Sequence, residues 1–411
     1  MFPRDPVRRI PCNSTSERPD MLEFLIAGFV MPLIFSAAAV PVIRGLAPWL
    51  GLIDQPGERK VHVQPTPRSG GIAVWLAMVV TGVGLYLTHR NGWAPWVEGF
   101  DILGDSLAAN PLRVRQLTAV CVGACILFFV GLADDRWNLS WKLRLGCQLT
   151  VAVGVVLSGV QATVFVTQPW VGILISVLWI LVLTNAMNFL DNMDALSAGI
   201  GVIASLTFTA IMVSLVSLPA WSVALALMIL AGALTGFLFW NRPPASIFMG
   251  DCGSNLIGFL LATLTIVGTF YDSASSRHVI LAPLCVLAVP LYDFSTVILI
   301  RLKHGRSPFH GDKSHFSHRL VELGMRPASA VLTIHLATMM TGLGGLLLYK
   351  VADWTGALLV LSLILCILCI IAILETVGRH SVAQMQEQAH SAGAAGARDP
   401  HRTSDQTASD Q

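Results

Sequence analysis

The sequence has 411 residues, of which 54% are hydrophobic and 12% are charged, and its mean hydropathy is +0.69. This composition excludes an ordinary water-soluble globule and predicts an integral membrane protein. The formal net charge of +2 is small and the basic residues are dispersed, which argues against a nucleic-acid partner.

Long apolar runs predict an all-α integral membrane protein rather than a barrel. A spanning helix needs about 20 mostly apolar residues, because in lipid every backbone polar group must be satisfied within its own segment. Windows of that length predict about eleven transmembrane helices. They lie near residues 21–43, 70–88, 116–133, 143–160, 170–189, 197–217, 220–240, 254–271, 279–300, 329–349 and 354–375.

Both ends of the chain fall outside this predicted polytopic domain of residues 21–375. The N-terminal extension, residues 1–20, holds four arginines but no apolar core of a signal peptide. A start of translation at Met21 would account for it. Residues 376–411 are rich in Gln, Ala, Ser, Asp and Gly, and they predict a disordered cytoplasmic tail.

The distribution of Lys and Arg predicts the orientation of the chain in a plasma (inner) membrane. Seventeen of the 26 basic residues fall in the loops that follow the odd-numbered spans and in the C-terminal tail. Because basic loops tend to stay in the cytoplasm, this face is predicted to be cytoplasmic. The N-terminus would then lie outside and the C-terminus inside.

Five polar segments, here called the polar islands, fall on this predicted cytoplasmic face. They are "DQPGERKVHVQPTPRSGG" (54–71), "GLADDRWNLSWKLR" (131–144), "NAMNFLDNMDALSAG" (185–199), "NRPPASIFMGDCGSN" (241–255) and "RLKHGRSPFHGDKSHFSHRL" (301–320). The loops of the opposite face contain nothing comparable. A single cleft with an active site at the cytoplasmic face would produce this distribution.

The second island contains two adjacent carboxylates, Asp134 and Asp135, at the end of a span. Two acids at a membrane edge repel each other, so we expect them beside cations or a metal, or with one acid protonated. Arg136, Lys142 and Arg144 follow closely, which indicates an acid–base group beside cations that hold an anion. A solvated helix end is the alternative.

The third and fourth islands supply oxygen ligands. Asn188, Asp191 and Asp194 are spaced by three, so on a helix they would form one stripe that suits Mg²⁺. A polar helix cap is the alternative. Asp251 lies between two glycines ahead of an apolar span, a pattern that fits an anion or a metal-bound ligand and also fits an ordinary tight turn.

The fifth island concentrates histidines and cations. Within sixteen residues it contains His304, Arg306, His310, Lys313, His315, His318 and Arg319. No cysteine lies nearby, so cations aimed at phosphate fit better than a zinc site. A merely positive-inside loop is the alternative. Asp293, in the ninth predicted span, is either a functional intramembrane acid or a solvated carboxylate near a helix end.

Four segments, "GLADDRWNLSWK", "NAMNFLDNMDALSAG", "FMGDCGSNLIGF" and "SPFHGDKSHFSHRL", resemble in this order the signatures of the polyprenyl-phosphate N-acetylhexosamine-1-phosphate transferases, glycosyltransferase family 4. "RKVHVQPTPRSGG" resembles the first cytoplasmic loop of that family. The resemblance implies a Mg²⁺ enzyme, in which Mn²⁺ could substitute. It would transfer a sugar 1-phosphate from a UDP-N-acetylhexosamine to undecaprenyl phosphate and release UMP. The chain is most similar to the bacterial GlcNAc-1-phosphate branch, which initiates cell-envelope polysaccharides such as O-antigen.

The resemblance also assigns roles position by position. It implies Asp134 and Asp135 as the catalytic acids, with Asp134 as the base that deprotonates the lipid phosphate and Asp135 supporting it. It implies Asn188 and Asp251 as the metal ligands. The substrate-binding residues that it implies are Lys142, Asp191, Asn192, Asp194, Arg306, His315 and His318.

Among these substrate-binding residues, Asp194 would face the uracil end of the nucleotide. Lys142 and Arg306 would hold the pyrophosphate, and the two histidines would orient phosphates. Asp191 would belong to the shell of the metal or the nucleotide.

Two positions depart from the family pattern. Ala195 stands where the family usually has glycine, and because it adds only a methyl group we expect a helical backbone there. Ser317 stands where many members have a histidine, which leaves the sugar open. The alternatives are a phospho-MurNAc-pentapeptide transferase and, in another class, a transporter of a phosphorylated solute. The implied partners are undecaprenyl phosphate, a UDP-N-acetylhexosamine and the bilayer, and a homodimer is compatible with them.

Overall fold

The computed structural model describes residues 17–55, 65–93, 98–162, 168–215, 220–268, 276–308 and 314–396. Most of these residues are helical. The helices are α1 (Glu17–Leu50), α2 (Gly70–Arg90), α3 (Glu98–Ala108), α4 (Pro111–Trp137), α5 (Trp141–Leu157), α6 (Pro169–Leu190), α7 (Leu196–Ser214), α8 (Trp221–Asn241), α9 (Gly250–Val267), α10 (Ala282–Val286), α11 (Ala288–Lys303), α12 (Phe316–Glu322), α13 (Pro327–Leu347) and α14 (Trp354–Gly396).

The predicted all-α, multi-pass membrane fold is confirmed. In the part of the chain that the structure describes, nine helices are long and apolar enough to span a membrane, and one bent pair makes a tenth if it is a single span. Together they coincide with ten of the eleven predicted spans. At the remaining one, near residues 143–160, the structure has the shorter helix α5 of 17 residues.

The ninth predicted span is broken. The segments Arg277–Val286 and Ala288–Lys303 meet at an angle of 66°. Pro290 stands in the first turn of α11, where its missing N–H and fixed φ are tolerated, whereas in a continuous helix it would break the hydrogen-bond ladder. The break places Asp293 one turn into the new helix.

Three helical stretches lie outside the predicted spans: α3, α12 and the continuation of α14 to Gly396. The backbone of residues 377–396 therefore differs from the predicted disordered tail. Alanine and glutamine, which are frequent there, favour the helix even without a hydrophobic core. The rest of the tail and most of the N-terminal extension lie outside the described residues.

The helices α7, α8 and α9 form the centre of the bundle. Within the most apolar window of each, 67%, 67% and 83% of the residues are buried, against 17% in α14. Glycines allow α9 to approach its neighbours. A Cβ on Gly258 would come within 2.5 Å of the carbonyl oxygen of Leu183 in α6, and one on Gly131 would come within 2.6 Å of the carbonyl oxygen of Asp251.

A short antiparallel pair of strands, β1 (Ile53–Asp54) and β2 (Thr66–Pro67), closes the connection between α1 and α2. Arg68 pairs with Asp54 across this ribbon. The carbonyl oxygen of Pro67 accepts a 2.7 Å hydrogen bond from the N–H of Phe248, so the first island is attached to the segment before α9.

Candidate active site

The polar islands meet at one end of the helix bundle. Backbone or side-chain hydrogen bonds connect the fourth island with each of the first three islands. A further hydrogen bond connects the third island with the fifth. These contacts are Pro67 with Phe248, Arg144 with Asp251, Asn188 with Asp251, and Asn192 with Ser317. Segments separated by up to 125 residues therefore build one site.

Asp251, in the first turn of α9, is the centre of a charged cluster. Its Oδ2 lies 2.9 Å from Nη1 of Arg144, and its Oδ1 accepts a 2.9 Å hydrogen bond from the amide nitrogen of Asn188. The same Nη1 lies 2.5 Å from Oδ2 of Asp134, so one guanidinium bridges two carboxylates and offsets their repulsion. The side chains of Arg144 and Asp251 are each 31% exposed, which leaves the cluster open to a substrate.

Asp134 and Asp135 differ in what they contact. Both oxygens of Asp135 accept backbone hydrogen bonds at the start of α9, from Asp251 N at 2.9 Å and from Cys252 N at 3.0 Å. These N–H groups have no partner within their own helix, so Asp135 serves as the cap of α9. Asp134 instead accepts a 2.7 Å hydrogen bond from the N–H of Leu139 with its Oδ1, and its Oδ2 faces the guanidinium. The supporting role predicted for Asp135 thus takes the form of positioning Asp251, while Asp134 remains the candidate base.

The cation in contact with the acids is Arg144 rather than Lys142. Lys142 is exposed, and its ammonium lies 5.7 Å from the centroid of the Trp141 ring. Residues two apart on a helix point in different directions, so only one of these cations can face the acids. Arg144 is absent from the predicted site residues, although its place in the second island was a signal.

The third island is a turn rather than a continuous helix. Asn188 belongs to α6, but Asp191 caps the end of that helix and Asp194 lies beyond it. The predicted helical stripe through the three residues is therefore wrong for the two acids. Oδ2 of Asp194 accepts a 2.9 Å hydrogen bond from the N–H of Ala245, which holds the turn against the fourth island.

Ala195, directly before α7, has φ 64° and ψ −4°, which is the left-handed region. The expected helical backbone at this position is wrong. Glycine adopts this conformation without steric cost, which gives a physical reason for the glycine that the family usually has here. Asn241 stabilises the turn, because its Oδ1 accepts from Ala195 N at 2.8 Å and its Nδ2 donates to Ile247 O at 2.8 Å.

Asp191 lies in this turn, with its Oδ1 accepting a 2.5 Å hydrogen bond from the hydroxyl of Ser197. Burial raises the pKa of Asp191 to about 7, although the bond from Ser197 favours the charged form. The negative charge of Asp251 contributes to this rise of the pKa. The protonation of Asp191 therefore changes near neutral pH.

In the fifth island, His315 is paired with Asp293. Nδ1 of His315 lies 3.0 Å from Oδ2 of Asp293, whose Oδ1 accepts a 2.6 Å bond from the N–H of Phe316. Asp293 is fully buried, so the alternative of a solvated carboxylate is wrong. Nε2 of His315 lies 3.4 Å from Nη2 of Arg301. The carboxylate therefore fixes the orientation of the imidazole.

The other predicted residues of this island are more open. His318 is half-buried, with its ring centroid 6.3 Å from that of His315. Arg306 is exposed after the end of α11. Residues 309–313, which include His310 and Lys313, lie outside the described residues.

Sequence reasoning missed two contacts that hold the islands together. Ser317, noted only as a departure from the family, donates a 2.5 Å hydrogen bond to Oδ1 of Asn192. Asn241, the last residue of α8, joins the turn at Ala195 to the fourth island as described above. A polar residue at the end of an apolar span was the available signal for Asn241, and there was none for the pairing of Ser317.

The cluster fits a divalent cation through oxygen ligands. In the part of the chain that the structure covers, no group of three or more His, Cys, Asp and Glu side chains is arranged to hold a metal ion by itself. Mg²⁺ needs only one or two protein carboxylates, because water and phosphate oxygens complete its shell. Asn188 donates its amide nitrogen to Asp251 and, at 3.0 Å, to Ser254, so its amide would have to turn to become a ligand. The guanidinium of Arg144 between two carboxylates indicates that this place accommodates a cation.

Comparison with known proteins identifies the family. Residues 117–269 match the family model described as glycosyl transferase family 4. The chain is 31% identical over 349 residues to a probable undecaprenyl-phosphate N-acetylglucosaminyl 1-phosphate transferase of Bacillus subtilis, covering 83% of this chain and 89% of that protein. It is 34% identical over 338 residues to a decaprenyl-phosphate N-acetylglucosaminephosphotransferase of Mycobacterium tuberculosis, with 76% and 80% covered. For the undecaprenyl-phosphate alpha-N-acetylglucosaminyl 1-phosphate transferase of Escherichia coli the identity is 27% over 359 residues, with 82% and 87% covered. The chain therefore belongs to glycosyl transferase family 4.

Proposed function

We propose that this membrane protein is a phosphotransferase that moves GlcNAc 1-phosphate from UDP-GlcNAc to undecaprenyl phosphate and releases UMP. Family membership supports the chemistry, and the relatives above are named for N-acetylglucosaminyl 1-phosphate transfer with undecaprenyl or decaprenyl phosphate. The MurNAc-pentapeptide alternative is not favoured, since none of these names refers to it. The observation that carries the proposal is the single guanidinium of Arg144 between Asp134 and Asp251.

The reaction joins two anions that repel each other, and the charged groups of the site reduce this repulsion. Asp134 accepts the proton of the lipid phosphate, whose oxygen attacks the sugar-bearing phosphorus while the bond to UMP breaks. Arg144 offsets the negative charge that accumulates on the phosphates, so positioning and electrostatics carry most of the catalysis. Mg²⁺ bound at Asp251 and Asn188 would supply further charge neutralisation. Asp135 keeps the start of α9, and therefore Asp251, in place.

The remaining predicted residues surround this centre. Lys142 and Arg306 are exposed cations that can reach toward the pyrophosphate. His315, oriented by Asp293, and the neighbouring His318 orient phosphate oxygens. The turn with Asp191, Asn192 and Asp194 contacts the nucleotide.

The site is proposed to face the cytoplasm from a plasma membrane, so that the UDP-sugar arrives from water and the lipid phosphate arrives from the bilayer. The excess of basic residues at this face supports the orientation. Single cysteines in place of Ser140 and Ser314, which are exposed and half-buried, in a background without native thiols, should be labelled only from the cytoplasm. Labelling of either of them from outside intact cells would overturn the orientation.

The enzymatic test uses the purified protein in detergent with undecaprenyl phosphate. It measures release of UMP and labelled lipid from UDP-GlcNAc and, in parallel, from UDP-MurNAc-pentapeptide. We expect product from UDP-GlcNAc, loss of product on chelation, recovery with Mg²⁺ and weaker recovery with Mn²⁺. Asp251→Ala should remove activity while the protein stays in the membrane, because a metal ligand is lost. Transport of a phosphorylated solute without UMP release would refute the proposal.

A further inference from the structure

Among the side chains of the last helix that the structure describes, α14 brings one charged group into the protein. Its spanning part, Trp354–Thr376, is the least buried of the candidate spans in the described residues, at 17%. Glu375 is the only Asp, Glu, Lys or Arg in that segment, and it is 3% exposed. A carboxylate at the edge of a lipid-facing helix is costly unless it is paired, so its partners indicate its purpose.

The partners of Glu375 lie in α11, which carries Asp293, and in α12, which begins directly after His315. Oε2 of Glu375 lies 3.1 Å from Nη1 of Arg319 in α12, and the same oxygen accepts a 3.0 Å hydrogen bond from the hydroxyl of Tyr292 in α11. The guanidinium carbon of Arg319 also lies 5.9 Å from the centroid of the Tyr292 ring. The arginine is thus held from the side of α14.

Arg319 stands between two acids. Its Nη2 lies 4.0 Å from Oδ1 of Asp293 and donates a 3.0 Å hydrogen bond to the hydroxyl of Thr296. It therefore binds Glu375 closely and Asp293 only at the limit of an ion pair. The two oxygens of Asp293 are consequently left for the N–H of Phe316 and the ring of His315.

We propose that Glu375 is a positioning residue that acts through Arg319 to keep Asp293 available to His315. Without the Glu375 carboxylate, Arg319 would move toward Asp293, because this is the other acid within reach. An ion pair there would compete with His315 for the carboxylate and would turn the imidazole. The inference rests on the proposed function, since the readout is transfer of the sugar phosphate.

The experiment compares turnover per folded enzyme, with the folded fraction measured by size-exclusion chromatography and by the unfolding temperature in detergent. Glu375→Gln should lower kcat roughly 10- to 100-fold, as expected for a slightly misplaced catalytic group, and should leave the KM for UDP-GlcNAc within about threefold. Glu375→Asp keeps a carboxylate and should retain more activity. Leu374→Ala, at a neighbouring residue that is 56% exposed, is the matched control and should behave as wild type.

A double-mutant cycle separates this role from simple stabilisation. If Glu375 acts through Arg319, the variant with both Glu375→Gln and Arg319→Met should be no slower than Arg319→Met alone. Effects that multiply independently, a wild-type kcat for Glu375→Gln, or a loss of activity that only follows the loss of folded protein would each overturn the inference. If Glu375→Gln does not accumulate, Tyr292→Phe, which removes one hydrogen bond to Glu375, takes its place in the cycle.

The wild-type protein keeps the two proposals distinguishable. No transfer by wild type would refute the proposed function, and the inference with it. If the wild type is active and Glu375→Gln has the same kcat, the inference is refuted and the proposed function is not.

Discussion

The cap of α9 makes Asp135→Asn the most informative single substitution in the site. Both oxygens of Asp135 accept buried backbone N–H groups, at 2.9 and 3.0 Å. Asparagine keeps one oxygen but turns an NH₂ group toward the second N–H, and leaving that donor unsatisfied costs about 1–3 kcal/mol. Loss of the negative charge at the helix N-terminus adds roughly 0.3–1 kcal/mol. We therefore expect the free energy of unfolding to fall by about 1–4 kcal/mol.

The first assay measures the free energy of unfolding in detergent. The second assay measures the turnover of sugar-phosphate transfer on the same preparations. Asp134→Asn is the matched variant, because it also replaces one acid of the pair but leaves the cap of α9 intact. It should lower turnover by a factor on the order of 10² to 10⁴, as loss of a general base does, with a smaller loss of stability. An Asp135→Asn protein that is as stable as wild type but inactive would refute the capping argument and would make Asp135 the next candidate base.

Three further predictions concern neighbouring residues. Arg144→Gln should lower turnover by more than about 10²-fold and Lys142→Gln by less than about tenfold, since only the first cation contacts the acids; the reverse order in the transfer assay would contradict the geometry. Ala195→Gly should be tolerated, whereas Ala195→Val should lower the unfolding free energy by more than about 1 kcal/mol, because a branched side chain disfavours φ 64°. The pKa of Asp191 is raised from 3.8 to about 7, so the folded state holds a proton that the unfolded state releases, and stability from this group falls as pH rises from about 4 to 7. Asp191→Asn should flatten that part of the pH–stability curve, and an unchanged curve would contradict the raised pKa.

The spans were predictable because hydrophobicity is a local property of the chain. An apolar run of sufficient length has few stable forms in lipid, and so ten predicted spans coincide with helices or the bent pair. The break before α11 was not predicted, because a proline near a helix start and a proline within a helix look alike in an apolar run. The helix α12 was missed because its seven residues carry too little periodicity to be distinguished from a loop.

The site was predictable in its location but less so in its contacts. Polar islands on one face of the predicted topology indicated a common site, and the contacts of Asp251 with the second and third islands agree with this. Sequence could not tell which of Lys142 and Arg144 meets the acids, since that depends on where α5 begins. The left-handed turn at Ala195 was misjudged because an alanine by itself favours a helix. Pairings such as Glu375 with Arg319 join elements whose spacing is set only by tertiary packing.

The geometry of the acids also depends on a residue that has no functional group. Gly131 lies one turn before Asp135 in α4, and a Cβ there would come within 2.6 Å of the carbonyl oxygen of Asp251. Even an alanine would therefore force α4 and α9 apart. The two hydrogen bonds from α9 to Asp135 weaken when donor and acceptor separate beyond their normal range, so the cap would be lost. The guanidinium of Arg144 could then no longer bridge Asp134 in α4 and Asp251 in α9. The close contact of two apolar helices is thus a condition for the charged cluster at their ends.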